Sequence, residues 1–293
     1  MNTASLARLN VPMLHDTLAS FPPVMKVNGV TASFSLAMAI LKYYFGEEWL
    51  NKYVTPDTAK PNFLRIDESD PIRRDLTALR TIDLAEVIYN LQHVQGFDEC
   101  IARMKNGDIE GTYAELDLGR MLYLNTVPFR YVVAQGVRGL DYDVEVQYPD
   151  GVIACAESKC SIESTALGEN TIRNRLDDAR KQLPPDRPGI VFVKMPPRWM
   201  DESQFASMTI GVAKDFLRGT RRIVSVKFYV SPNSIESGYL KQEHAYKEIS
   251  NPKTRFGSGK TWSLFHKMNL PPEFNGMPPH WQRVLFFPDG KVR

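Results

Sequence analysis

Apolar residues recur at helical spacing in Ala32–Tyr44 and again in Leu84–Val94, so the first 108 residues read as mainly helical. Between them Thr55–Asp70, with Pro56, Pro61 and several acids, reads as a loop. Thr112–Leu124 predicts a further helix whose buried face would carry Leu116, Leu118, Met121 and Leu122. The period then shortens to two. Phe129–Gln135 (FRYVVAQ), Tyr142–Tyr148 (YDVEVQY) and Val152–Lys159 (VIACAESK) predict three strands, with Pro149-Asp150-Gly151 as the turn between the last two. A helix is expected over Glu169–Leu183, stopped by Pro184 and Pro185, and then GIVFVK (Gly189–Lys194) as a buried strand. A helix over Glu202–Leu217 and a final strand over Arg222–Val230 complete the series. The order helix, three strands, helix, strand, helix, strand predicts an α/β core with helices on both sides of one mixed sheet. Three segments follow: a helical region (1–108), the α/β core (109–232) and a C-terminal extension (233–293). The extension is rich in Pro, Gly, Asn and aromatics and is expected to be irregular or partly helical.

Composition narrows the class. With 293 residues, 43% apolar and 24% charged, the chain is no disordered, collagen-like or coiled-coil protein. Three cysteines without CxxC spacing, and no His/Cys cluster, argue against a disulfide framework or a zinc site. The N-terminus lacks the charged and apolar regions of a signal peptide. The apolar run Ala32–Phe45 is broken by serines and Lys42 and is shorter than the ~20 residues of a membrane span. A cytoplasmic protein with no membrane partner is therefore expected. Charge divides unevenly: residues 1–170 carry 15 Lys/Arg against 23 Asp/Glu, and residues 171–293 carry 21 against 11. A second half with net charge +10 suits a polyanion such as nucleic acid if a chemical motif agrees with it.

The hairpin about Pro149–Gly151 supplies that motif. Alternation places Asp141, Asp143 and Glu145 on one face of the second strand, and Glu157 and Lys159 on one face of the third. Asp143 lies seven residues before Asp150 and Glu157 seven after it, so antiparallel pairing brings two carboxylates and a lysine to one point. Such a group suits a hard divalent cation, which prefers oxygen ligands and retains waters. The cation polarises a phosphate and acidifies a bound water, and a nearby lysine can orient that water or offset developing charge. Asp141 faces the same way one pleat earlier and competes with Asp143 for the ligand role.

Asp143…Glu157-Ser158-Lys159, set on strands in an αβββαβ context, resembles the PD-(D/E)XK nuclease superfamily over roughly residues 109–230. Tyr142 stands where the family name has proline. The resemblance implies a restriction-endonuclease-like core and a magnesium-dependent endo- or exonuclease. It implies Mg²⁺ or Mn²⁺ held by Asp143 and Glu157 with the backbone carbonyl of Ser158. Lys159 would act on the attacking water, and Glu115, on the helix before the sheet, would complete the site or support a second metal. It also points to the helix after the motif, where Gln182, Lys181 and Arg173 are candidates to meet phosphate or metal.

Arg218, Arg221 and Arg222 form a second basic cluster suited to tracking a nucleic-acid backbone. The expected partner is nucleic acid, DNA ahead of RNA, with a homodimer or protein partner through the helical region as a further expectation. The alternative is a catalytically inactive nuclease-fold module that binds nucleic acid or assembles with a protein. Residues 254–261 (TRFGSGKT) end like a phosphate-binding loop but lack its first glycine and preceding strand, so a flexible basic loop is expected. Trp262, Phe265, His280 and Trp281 are expected to pack rather than to stack on bases.

Overall fold

A computed structural model describes residues 7–26, 29–56, 63–65, 71–137, 139–161, 164–236, 239–242, 245–257 and 262–264. Helices come first: α1 (Val11–Ser20), α2 (Gly29–Phe45), α3 (Glu47–Tyr53), α4 (Pro71–Leu91), α5 (Phe97–Lys105) and α6 (Ile109–Leu124). Then follow β1 (Phe129–Tyr131), β2 (Val144–Gln147), β3 (Ile153–Cys160), α7 (Glu169–Gln182), β4 (Gly189–Lys194), α8 (Phe205–Arg218) and β5 (Ile223–Val230). The core elements thus occur in the expected order, with β1 ending at Tyr131 rather than running to Gln135.

Residues beyond 233 depart from the irregular extension expected. β6 (Asn233–Glu236) and β7 (Tyr239–Gln242) form a hairpin, and β8 (Ala245–Ser250) pairs antiparallel with β5. β8 is an edge strand whose first residues are exposed, so its sequence, AYKEIS, carries little apolar alternation. Its pairing is fixed partly by charge. Lys227, buried within β5, lies 2.7 Å from Glu248 of β8 across the Lys227–Glu248 register. Trp262 is buried, edge-on to Tyr148, whereas Phe265, His280 and Trp281 lie outside the described residues.

The six strands make one mixed sheet in the order β1-β2-β3-β4-β5-β8. β1, β2 and β3 are antiparallel; β3, β4 and β5 are parallel, with α7 and α8 as the crossovers that parallel pairing requires. Helices cover both faces. Val144, Val146, Ala154, Ala156, Ile190 and Phe192 pack on the N-terminal helices in one core. Cys155, Val191, Val193, Val226 and Phe228 pack on Ile172 and Leu176 of α7 and Val212 and Phe216 of α8 in the other. Among the described residues no helix is long and apolar enough to cross a membrane.

α6 is nearly all buried, because it lies between α4 and the sheet. Gly119 permits this approach: a Cβ there would collide with the Tyr131 hydroxyl on β1. Burial on all sides means that the charges of α6 must be paired. Arg120 pairs with Asp117 and with Asp83 of α4, Tyr113 donates to Asp83, and Lys194 at the end of β4 pairs with Asp117. This network ties the helical region to the sheet beside the motif.

Candidate functional site

The register of the β2–β3 hairpin places the motif. Val144 faces Ala156 and Glu145 faces Cys155, so the ladder is centred on Asp150 and puts Asp143 opposite Glu157. The pairing continues past β2, with the Asp143 N–H donating to the Ala156 carbonyl at 3.1 Å. The Asp143 carboxylate then accepts from the Ser158 backbone N–H at 2.6 Å, which locks it against the end of β3.

Glu157 is 1% exposed. One of its oxygens is 2.5 Å from the Lys159 ammonium, while Oε2 is buried with no hydrogen-bond partner among the described residues. Lys159 also donates to Gln182 Oε1 of α7 at 2.7 Å. The Ser158 hydroxyl is likewise buried without a partner among the described residues. Such orphaned acceptors are uncommon in folded proteins and mark places where an ion, water or ligand group belongs.

These side chains share a cavity of about 460 Å³ with Glu115, Asp141, Arg103 and Arg175 on its wall, and with Asp108 and Glu110 at the start of α6. Of the residues the sequence singles out, Glu115, Asp143, Glu157, Ser158, Lys159 and Gln182 therefore come together. Asp141 lines the same cavity but caps the preceding loop, accepting from the Gln135 N–H at 2.7 Å. Glu145, on the same strand face, does not line the cavity; it is held by Tyr142, Arg130 and Arg187.

Other basic candidates lie off the cavity wall. Lys181 is exposed and pairs with Asp178 at 2.8 Å, and Arg173 is not among the lining residues; Arg175, two residues on and on the opposite side of α7, takes that place. Arg218 pairs with Asp215 at 2.6 Å, Arg221 is exposed, and Arg222 donates to the Arg180 carbonyl. Arg103 is the residue that sequence reasoning missed. Its guanidinium holds both oxygens of Glu115, one at 2.9 Å and the other more closely. The two stand on consecutive helices, and helical periodicity within either one carries no signal of that contact.

Electrostatics single out the same place. Burial, and then the charge of Asp143, pushes Glu115 well above the ordinary carboxylate range despite Arg103. The same two causes raise Glu157 against the pull of Lys159. Asp143 is itself raised by burial, although the Ser158 N–H and the charges of Lys159 and Arg103 oppose that. Asp143 thus crowds two buried acids toward their protonated forms, a crowding that a bound cation would relieve. A hard ion suits the donors present: the Asp143 carboxylate, the orphaned Glu157 oxygen and main-chain carbonyl oxygen, with water making up the rest, as Mg²⁺ allows. Among the described residues no three His, Cys, Asp or Glu side chains are grouped so as to hold a metal ion by themselves. Comparison with protein-family models, with curated proteins and with solved structures gives no match.

Proposed function

We propose that this chain is a divalent-cation-dependent nuclease with a restriction-endonuclease-like core of the PD-(D/E)XK kind. The observation that carries the reading is the convergence of Asp143, Glu157 and Lys159 on one cavity, with a buried Glu157 oxygen left open. The series α6-β1-β2-β3-α7-β4 supports it, since it places the motif in the αβββαβ order that the resemblance implies.

In this reading Asp143 and Glu157 hold Mg²⁺ or Mn²⁺, with the Ser158 carbonyl beside them. When bound, the cation supplies Lewis-acid polarisation of the phosphate and a more acidic water. Lys159, kept in place by Glu157 and Gln182, orients the attacking water toward phosphorus. The water oxygen bonds to phosphorus and the P–O bond to the leaving oxygen breaks. One water proton passes to solvent, and the leaving oxygen takes up a proton. The basic second half of the chain, including Arg175 on the cavity wall, favours a polyanionic substrate, DNA or RNA.

A second reading has one observation in its favour. Glu115 is closed off by Arg103 and, among the described residues, no three-acid metal group forms, as expected of a nuclease fold that binds without cutting. Incubating the protein with single- and double-stranded DNA and RNA in Mg²⁺, Mn²⁺ or EDTA separates the two. Metal-dependent fragments support the hydrolase. Salt-dependent binding without fragments supports the inactive module.

A further inference from the structure

We propose that Arg103 binds the scissile phosphate as a catalytic residue of this site and that Glu115 is its positioning partner rather than a cation ligand. The assignment rests on the nuclease reading above and changes the role that the sequence suggests for Glu115.

The geometry of α5 carries it. Phe97, Cys100, Ile101 and Met104 bury one face of that helix and fix its axis, and Arg103 projects to the cavity wall. Its planar fork engages both Glu115 oxygens, which fixes the plane of the guanidinium at the cavity. The Arg103 Nε is buried and has no partner among the described residues, so Glu115 does not exhaust its donors. The side chain is 26% exposed while that of Glu115 is 6% exposed, so the arginine is the more open member of the pair.

Charge on the wall points the same way. Asp108, Glu110, Glu115, Asp141, Asp143 and Glu157 line the cavity against Arg103, Lys159 and Arg175. A phosphodiester entering that space meets a surplus of like charge unless a fixed cation receives it. In the reading above Lys159 serves the attacking water, which leaves Arg103 and Arg175 on the cavity wall to meet the phosphate. Arg103 is the guanidinium held rigidly at the cavity by a buried acid. With Glu115 engaged by Arg103, no third acid joins Asp143 and Glu157 in a metal group among the described residues. A guanidinium thus stands at the corner where a second metal would otherwise be expected.

The test uses the full-length chain, a fluorescent oligonucleotide that the wild type cleaves, and Mn²⁺. Arg103→Met and Glu115→Gln are expected to bind Mn²⁺ as wild type does, whereas Asp143→Asn loses it. With EDTA present, Arg103→Met is expected to bind the oligonucleotide with a salt slope smaller by about one. Its single-turnover cleavage should fall by about 10²–10³-fold, the cost of removing one preorganised donor from a developing anion. Arg103→Lys should recover charge and part of the binding but little of the rate, because it lacks the fork. If Arg103→Met alone does not fold, the double variant Arg103→Met/Glu115→Gln leaves no buried unpaired acid and carries the same expectations. Cleavage by Arg103→Met as fast as wild type, or loss of Mn²⁺ by Glu115→Gln to the extent of Asp143→Asn, overturns this assignment alone. A wild type that neither binds Mn²⁺ nor cleaves overturns the nuclease reading and this assignment with it.

Discussion

Lys159 of β3 donates to Gln182 of α7 at 2.7 Å, a contact that joins the strand bearing the acids to the crossover helix that follows it. The lysine keeps its ion pair with Glu157 when Gln182 is lost, but nothing then fixes its direction. A hydrogen bond to a charged group contributes about 1.5–3 kcal/mol. Gln182→Ala should therefore lower kcat by about 10–100-fold. KM should change little, while the thermal midpoint should fall by a few degrees, since the lost bond also ties α7 to β3. Steady-state kinetics together with a circular-dichroism melt check both parts.

Asp143 raises both of its acidic neighbours, so the three acids repel one another when ionised. Asp143→Asn keeps an oxygen to accept from the Ser158 N–H and removes that charge. The variant should be inactive yet more stable by about 1 kcal/mol, a gain of about 2–4 °C in a domain of this size. Adding Mn²⁺ should raise the melting temperature of wild type but not of the variant, since only a cation-binding fold gains from mass action. Differential scanning calorimetry with and without Mn²⁺ reads both effects.

The buried network on α6 ties part of the fold's stability to the ionised form of Asp83. Burial alone would raise Asp83, but the charge of Arg120, then that of Lys194 and the Tyr113 hydroxyl, holds its carboxyl below the usual range. The folded state therefore favours the ionised form. Its contribution is complete above the unfolded pKa of about 3.9 and is lost as the pH falls through the lower folded value. Asp83→Asn should cost about 3 kcal/mol at neutral pH, the low end for a broken buried pair, because Asp117 still serves Arg120. That cost should shrink below about pH 4. Urea melts of wild type and Asp83→Asn at pH 7 and at pH 3 make the comparison.

The hairpin and its register were legible in the residues themselves. A period of two on either side of Pro149-Asp150-Gly151 leaves one pairing that buries Val144, Val146, Ala154 and Ala156 together, and that pairing sets Asp143 against Glu157. GIVFVK likewise reads as the buried parallel strand it is. The rest depended on contacts that leave no periodic trace. β8 is half solvated, and the ion pair that helps to seat it beside β5 joins Lys227 to Glu248, charges 21 residues apart. The link from Arg103 to Glu115 crosses from one helix to the next. The strand expected through Gln135 stops at Tyr131 because the chain turns away into a loop that Asp141 caps through the Gln135 N–H.

The most direct test of the account is single-turnover cleavage of a nucleic-acid substrate in Mg²⁺ by wild type and by Lys159→Ala, each first shown to be folded at the assay temperature. Lys159 is partly exposed and contributes to no apolar core, so its removal should lower the melting temperature, by leaving Glu157 unpaired, without abolishing the fold. The account predicts metal-dependent cutting by wild type that falls by about 10²–10⁴-fold in the variant, the range for losing a positioned group that acts on the attacking water. Equal cleavage by the two proteins, or cleavage by wild type that persists in EDTA, would contradict it.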